Sequence, residues 1–433
     1  MGIGKKYPRY IDSGIEWIGQ IPISWDVRKL KYFFSFEKGQ NAQAYTNEYL
    51  VANPGNYPVF SGQTEDEGVM GRISTYDYET GNVLFSTTVG AKAMTTRMIS
   101  GKYSLSQNCA LLIPKSKNMD VRFYRYFVDR LFDYEKGLIS LIMQPSLRFE
   151  DLVRYQIVVP AMEEQGEIAD HLDRKTAQID DLIDKKERMI ELLREERAAV
   201  INQAVTKGLD PKAEMKDSGI EWLDKIPRHW KMNKLKHTTY IKGRVGWQAL
   251  TTNEYITEGP YLVTGTDFLE GEICWEGCFH VSIERYGMDP YIQLKNGDLL
   301  ITKDGTIGKV AVVKNMPGNS TLNSGIFLTR PIAQDVYLSD YMYWVLNSEI
   351  FSNFIEYTKK GSTISHLYQE VFREFVYPVP NIEEQQQIVN FLSNRTKEID
   401  SLVVRCEKQI LYLKEYCTSL ISEVVTGKIC VCE

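Results

Sequence analysis

The chain is 433 residues long, 43% hydrophobic and 25% charged, an ordinary composition for folded protein and enough chain for two to four domains. No apolar run approaches the roughly 18 residues of a membrane span. The first residues lack the apolar core of a secretory signal, and seven irregularly spaced cysteines fit reduced thiols rather than a disulfide framework, so a cytoplasmic protein with no membrane partner is expected. The net charge of −6, from 51 basic and 57 acidic side chains, weighs against a nucleic-acid binder, because phosphates call for a basic surface.

In chain order, the first informative segment is 12–31, DSGIEWIGQIPISWDVRKLK. It returns at 217–236 as DSGIEWLDKIPRHWKMNKLK, with 12 of 20 positions identical. Between 20 and 159, short runs rich in Val, Ile, Tyr, Phe and Thr alternate with glycines. Runs such as 82–85 and 110–113 predict strands and turns, and a short helix is predicted over 121–132. From Glu163 to Thr206 there is no proline, and the only glycine is Gly166. Leu172, Ile179, Leu193 and Val200 recur at one heptad position and Ile183 and Ile190 at the other, which predicts a single long helix. Glu163 and Glu164 place acid on the positive end of its dipole, and Gly208 with Pro211 stops it. About 44 residues at about 1.5 Å each make a helix of roughly 66 Å, longer than a small domain is wide. Such a seam needs a partner.

The second half repeats this order. Strands are predicted at 298–301 and 309–313 and short helical structure over 337–357. Residues 380–426 then match 160–206 without a gap at 17 of 47 positions, with a seam of Leu392, Ile399, Leu413 and Leu420 alongside Val403 and Ile410. A weaker match at an offset of 216 aligns 81–86 with 297–302 and 107–110 with 323–326. The chain therefore reads as α+β: a tandem duplication of a mixed α/β domain followed by a long α-helix. The two helices are expected to pair as an antiparallel coiled coil about a pseudo-two-fold axis. The expected divisions are 1–159, 160–207, 208–379 and 380–433.

Catalytic signatures are missing. There is no GxxxxGK[ST] loop for nucleotide phosphates, and the string 303–309, KDGTIGK, has the wrong spacing and reads as a turn. Residues 53–57, NPGNY, lack the second proline of a base methyltransferase tetrapeptide. Cys274, Cys278 and His280 form a C-x3-C-x-H string with no fourth ligand spaced to complete a tetrahedral zinc site, so reduced thiols are the better reading. No metal, no cofactor and no catalytic residue is expected, and the chain alone is expected to catalyse nothing.

Counting charge by segment changes the first impression. Residues 20–160 carry 16 basic and 14 acidic side chains and residues 225–380 carry 16 of each, whereas 161–210 carry 8 and 13 and 381–433 carry 6 and 8. The acid sits on the helices and linker. The globular parts are near neutral and rich in the Arg, Lys, Tyr, Asn, Gln, Ser and Thr that touch phosphates and base edges.

The order of features resembles the specificity subunit of type I restriction-modification systems. The residues that carry the resemblance are the two DSGIEW…IP…W segments (12–25 and 217–230), Pro-x-x-Glu-Glu-Gln at 160–165 and 380–385, and GDLLIT…GTIG at 297–308. The first copy departs from that last pattern, with Thr87-Thr88-Val89-Gly90-Ala91-Lys92 in its place. The resemblance implies that each globular part is a target recognition domain reading half of an asymmetric, bipartite site on double-stranded DNA. It implies that the helices set the spacing and dock two methylation subunits, which supply adenine methylation. Two restriction subunits would then join for cleavage, with one copy of this chain per complex. Candidate DNA-contacting residues are polar or basic side chains in glycine-flanked loops. In the first copy they are Gln63, Thr87, Lys92, Arg97, Gln107, Asn108, Gln144 and Ser146. In the second they are Arg244, Thr266, Lys303, Lys309, Asn323, Ser324, Ser365 and His366. The competing reading is a protein-interaction scaffold of two β-rich modules on a coiled-coil spacer, without a DNA role.

Overall fold

The computed structural model describes residues 5–63, 66–90, 93–139, 144–244, 250–358 and 366–431. The chain forms two compact units, Met1–Lys186 with Lys408–Glu433, and Glu187–Glu407. Each long helix contributes one part to each unit.

In the first unit, a six-stranded sheet runs in the order Phe34–Lys38, Cys109–Pro114, Tyr78–Thr87, Thr96–Leu105, Pro54–Phe60, Val69–Ile73. One face of the sheet packs Leu84 and Leu112 against the helix Val121–Gly137, whose Phe123, Phe127 and Phe132 are buried. Asp120 caps that helix by accepting from the Arg122 amide. The other face buries Phe85, Leu111 and Tyr103 in a second, smaller core. The second unit repeats the first four strands in the same order, Thr239–Gly243, Ile326–Pro331, Leu299–Thr302, Val310–Val312. It packs Leu299, Ile301 and Phe327 against the helices Ser339–Leu346 and Glu349–Thr358.

The ladders correct the weak sequence match. Thr87 pairs with Cys109 at the end of one ladder, and Thr302 pairs with Ile326 at the end of the other. The equivalent strands are therefore offset by 215 and 217, not by 216. A strand's side chains alternate between faces, so a slip of one residue exchanges the two cores. The 216 alignment would set Leu84, in the helix-covered core, against Leu300, which lies in the opposite one.

The DSGIEW segments form hairpins, Tyr10–Asp12 with Gln20–Pro22 and Met215–Ile220 with Leu223–Pro227. The strand after each hairpin pairs antiparallel with the strand that leads into a long helix: Asp26–Lys29 with Gln156–Val159, and Lys231–Lys234 with Val376–Val379. The long helices are Met162–Lys207 and Ile382–Val425. In the first unit, Leu172, Ile179 and Ile183 share a core with Leu413, Leu420 and Val424. In the second unit the helices are cross-linked by Arg197 to Asp400 at 2.9 Å, Arg194 to Glu407 at 3.4 Å and Arg395 to Glu196 at 2.5 Å. From Arg194–Glu407 to Arg197–Asp400 the numbers rise on one helix as they fall on the other, so the pairing is antiparallel. Ile190, Leu193, Leu392 and Ile399 are buried there and Val200 and Val403 are half-buried, as is Ile410 in the first unit. Among the described residues, no helix is long and apolar enough to cross a membrane.

One tryptophan closes each unit. Trp25 Nε1 donates to Glu164 Oε1 at 3.0 Å, at the start of the first long helix, and Tyr7 donates its hydroxyl to the same oxygen at 2.7 Å. The other side of Trp25 meets Gly427, which ends the second long helix; a Cβ there would lie 3.2 Å from the indole and 2.3 Å from Pro22. In the second unit, Trp230 Nε1 donates to Glu384 Oε1 at 3.0 Å and packs on Gly208, the end of the first long helix. Both glycines have positive φ, +72° and +73°; a Cβ would collide with Pro22 at Gly427 and press on the Trp230 indole at 3.1 Å at Gly208, so the stop signal also serves packing. The acid expected to compensate a dipole thus accepts an indole proton. The residue after it is buried: Gln165 donates to the Pro160 carbonyl at 2.9 Å and accepts from the Asp120 amide at 3.0 Å. Gln385 does the same with Pro380 at 3.0 Å and Leu338 at 2.8 Å.

Candidate nucleic-acid interface

Each unit has an open cleft where its edge strand runs out through a Lys-Gly pair. In the first unit the cleft holds about 590 Å³ and is lined by Lys38, Gln40, Asn41, Gln43, Thr88, Ser106, Gln107, Asn108 and Phe149. In the second it holds about 600 Å³ and is lined by Lys242, Arg244, Lys303, Phe327, His366, Tyr368 and Gln369. The two are built alike. The Thr88 amide donates to the Asn108 carbonyl and the Leu147 amide donates to Thr88, both at 2.8 Å. In the second unit the Lys303 amide donates to Gly325 and the Leu367 amide to Lys303, again at 2.8 Å. Isolated bridges add Val89 to Ser146 and Asp304 to His366. The strand-end loop, the following turn and the segment leading toward the long helix therefore meet in both units, although they are far apart in sequence.

One lysine in each cleft is held over a ring. Lys38 Nζ is 4.8 Å from the Phe149 centroid and Lys303 Nζ is 5.0 Å from that of Phe327. Such contacts steady an ammonium without neutralising it. His366 Nδ1 bonds the Asp304 carboxylate.

Of the residues expected from the sequence, Gln107, Asn108, Arg244, Lys303 and His366 line these clefts, Arg244 as a buried part of the wall. Gln144 and Ser146 are exposed next to the first. Gln63 is half-buried and donates its amide to the Val69 carbonyl at 2.6 Å. Asn323 and Ser324 form the turn beside Lys303, with Asn323 donating to Tyr255 at 3.4 Å. Thr266 and Lys309 lie on another loop: Thr266 shares a hydrogen bond with Thr264 at 2.7 Å, and Lys309 donates to Gly265 at 3.3 Å.

Three expected residues are held inside the protein or against its rings. Thr87 is 5% exposed, inside the sheet. Arg244 is 2% exposed, with Nε on the Leu322 carbonyl at 2.8 Å and Nη2 on Thr321 at 3.2 Å, and burial holds its pKa below the usual arginine value. Arg97 is clamped between Phe60 and Phe85 at 4.6 and 4.5 Å, and burial lowers its pKa too. A polar residue next to a glycine looks the same in sequence whether it faces solvent or plugs a core. Lys92 and Ser365 lie outside the described residues.

Sequence reasoning missed Lys38, Gln40, Asn41, Gln43 and Gln369. The available signal was the Lys-Gly pair that follows each DSGIEW repeat. Gly39 is needed because a Cβ would sit 2.6 Å from the Leu105 carbonyl, and at Gly243 a Cβ would press on the Phe327 ring at 3.0 Å. Cys278, of the string weighed for zinc, hydrogen-bonds the Cys274 carbonyl at 3.5 Å, and burial pushes its thiol pKa up to about 12.

The family model for type I restriction modification DNA specificity domains matches the chain twice, over residues 22–192 and 230–410. The chain belongs to this family. It is 22% identical over 426 residues to the type I restriction enzyme MjaVIII specificity subunit of Methanocaldococcus jannaschii, covering 95% of this chain and 94% of that one. It is 28% identical over 153 residues to the MpnII specificity subunit of Mycoplasma pneumoniae, covering 35% of this chain and 45% of that one. A solved chain from work on complex assembly and conformational transition of the type I R-M system has the same fold, with a TM-score of 0.70 at 14% identity over 94% of this chain and 98% of that one. The HsdS subunit of Thermoanaerobacter tengcongensis superposes with a TM-score of 0.54, also at 14% identity and over 94% and 98% of the two chains.

Proposed function

We propose that this chain is the DNA-recognition subunit of a type I restriction-modification complex, without catalytic activity of its own, and that each cleft reads one half of a bipartite site. The observation that carries the reading is the repetition of one cleft in both units, built on equivalent hydrogen bonds but lined by different side chains. Two copies of one reading device with different linings suit a site whose halves differ. The long helices act as the spacer. Their acidic surface suits basic faces on two methylation subunits, which bring cofactor and chemistry and much of the phosphate clamp. Two restriction subunits complete the complex. The chain alone then binds DNA weakly, in keeping with its acidic total and near-neutral reading domains.

Mapping methylated adenines in cells carrying the chain and its methylation partners tests this. A split motif that disappears with the chain is expected, and methylation independent of the chain would overturn the proposal. Deleting one heptad from both long helices shortens each by about 10.5 Å. The expected outcome is a gap shorter by about three base pairs, at about 34 Å per helical turn of DNA, or loss of the motif. An unchanged gap at unchanged affinity would refute the spacer.

A further inference from the structure

We infer that the cleft of the first unit reads adenine, through four carboxamides held on a rigid frame: Gln40, Gln43, Gln107 and Asn108. This rests on the DNA-reading function proposed above and names what one reader recognises. All four side chains are exposed in the cleft, and none makes a side-chain hydrogen bond with the described residues. The backbone beneath them is fixed. The Tyr78 hydroxyl donates to the Lys38 carbonyl at 2.6 Å where the loop begins. Asn41, the remaining amide of the loop, is committed to Asp77 Oδ1 at 2.7 Å. Tyr45 is buried where the loop ends, donating to Asp77 Oδ2 at 2.6 Å beside Ser104 at 3.2 Å. Asn108 adopts φ +61° and its carbonyl accepts from Thr88, which locks the facing turn.

A free carboxamide offers a donor and an acceptor side by side. That pair matches adenine N7 and N6 in the major groove, whereas guanine N7 and O6 are both acceptors and call for Arg or Lys. The only cation lining this cleft among the described residues is Lys38, and it sits over Phe149. The matching cleft makes the contrast. Where the first unit has Thr88, Gln107 and Asn108, the second has Lys303, Ser324 and Gly325, so a donor-only lysine stands in place of Thr88 and neither amide of the facing turn is kept. The anchored backbone loses little entropy on binding, so the cost of ordering falls on the amide side chains alone.

The test uses the full chain with its methylation partners. Gln40→Ala with Gln43→Ala, and separately Gln107→Ala with Asn108→Ala, are compared with wild type by sequencing the methylated motif. Preference at one or more A·T pairs of one half-site should fall about 5- to 150-fold per lost bidentate contact. The other half-site and the gap should not change, which also shows that the variant folds and assembles. Lys303→Ala should relax the opposite half-site only. If the amide variants relax G·C positions, or leave the motif intact while Lys303→Ala alters it, the adenine assignment is wrong and the DNA-reading function stands. If no variant and no deletion of the chain changes methylation, the function itself fails.

Discussion

Gln385 gives the sharpest test of how the helix starts are built. It is 0% exposed, its Nε2 donates to the Pro380 carbonyl at 3.0 Å, and its Oε1 accepts from the Leu338 amide at 2.8 Å. Gln385→Met keeps a linear side chain of similar size and removes both bonds. The Pro380 carbonyl is then buried without a partner, at about 1–3 kcal/mol, and the less buried Leu338 amide adds about 1 kcal/mol. Together the change should cost about 2–4 kcal/mol. Gln386→Met is the control. That residue is exposed, bonds only Asn390 at 3.0 Å, and should change stability by about 0.5 kcal/mol or less. Denaturant unfolding measures the difference, and amide exchange at Leu338 localises it, because two units need not unfold in one step. Gln165→Met should behave like Gln385→Met. Equal costs for the 385 and 386 variants would show that the buried amide is a filler and refute the reasoning.

Other outcomes follow from the packing. Leu172→Ala, at a 0% exposed site, should cost about 2–5 kcal/mol, whereas Leu182→Ala, 46% exposed on the same helix, should cost less than about 1 kcal/mol; thermal unfolding separates them. Arg97→Ala should lower stability by about 1–2 kcal/mol through its lost ring contacts while leaving the methylated motif unchanged. A motif change with full stability would return Arg97 to the readers. Glu374 bonds Lys234 and Lys236, both at 2.8 Å, and these hold its pKa down at about 2. A lowered carboxylate pKa stabilises the fold above the unfolded value of about 4.5 and stops doing so as pH falls toward 2. Stability measured from pH 5 to pH 2 should therefore fall less steeply in Glu374→Gln than in wild type; parallel curves would remove the ion pairs from the account.

Features that are local or periodic can be read from the order of residues alone. The heptad rows, the acidic starts and the glycine stops specify two long helices because helix geometry repeats every few residues and needs no distant partner to be read. Duplication was visible because 12 of 20 positions survive in the DSGIEW segments. Tertiary structure decided what those segments are for. The second tryptophan of each repeat, the glutamate of Pro-x-x-Glu-Glu-Gln and the terminal glycine are separate signals in the chain, yet they meet at one point in each unit. The strand register was out of reach for a related reason. A one-residue offset hardly changes a short apolar match, but it moves every side chain to the other face, and only the ladder fixes it. The clefts follow the same rule. Composition showed that amides and lysines were present, whereas burial and hydrogen bonding separated the exposed Gln107 and half-buried Lys303 from Arg244 and Thr87, which are buried.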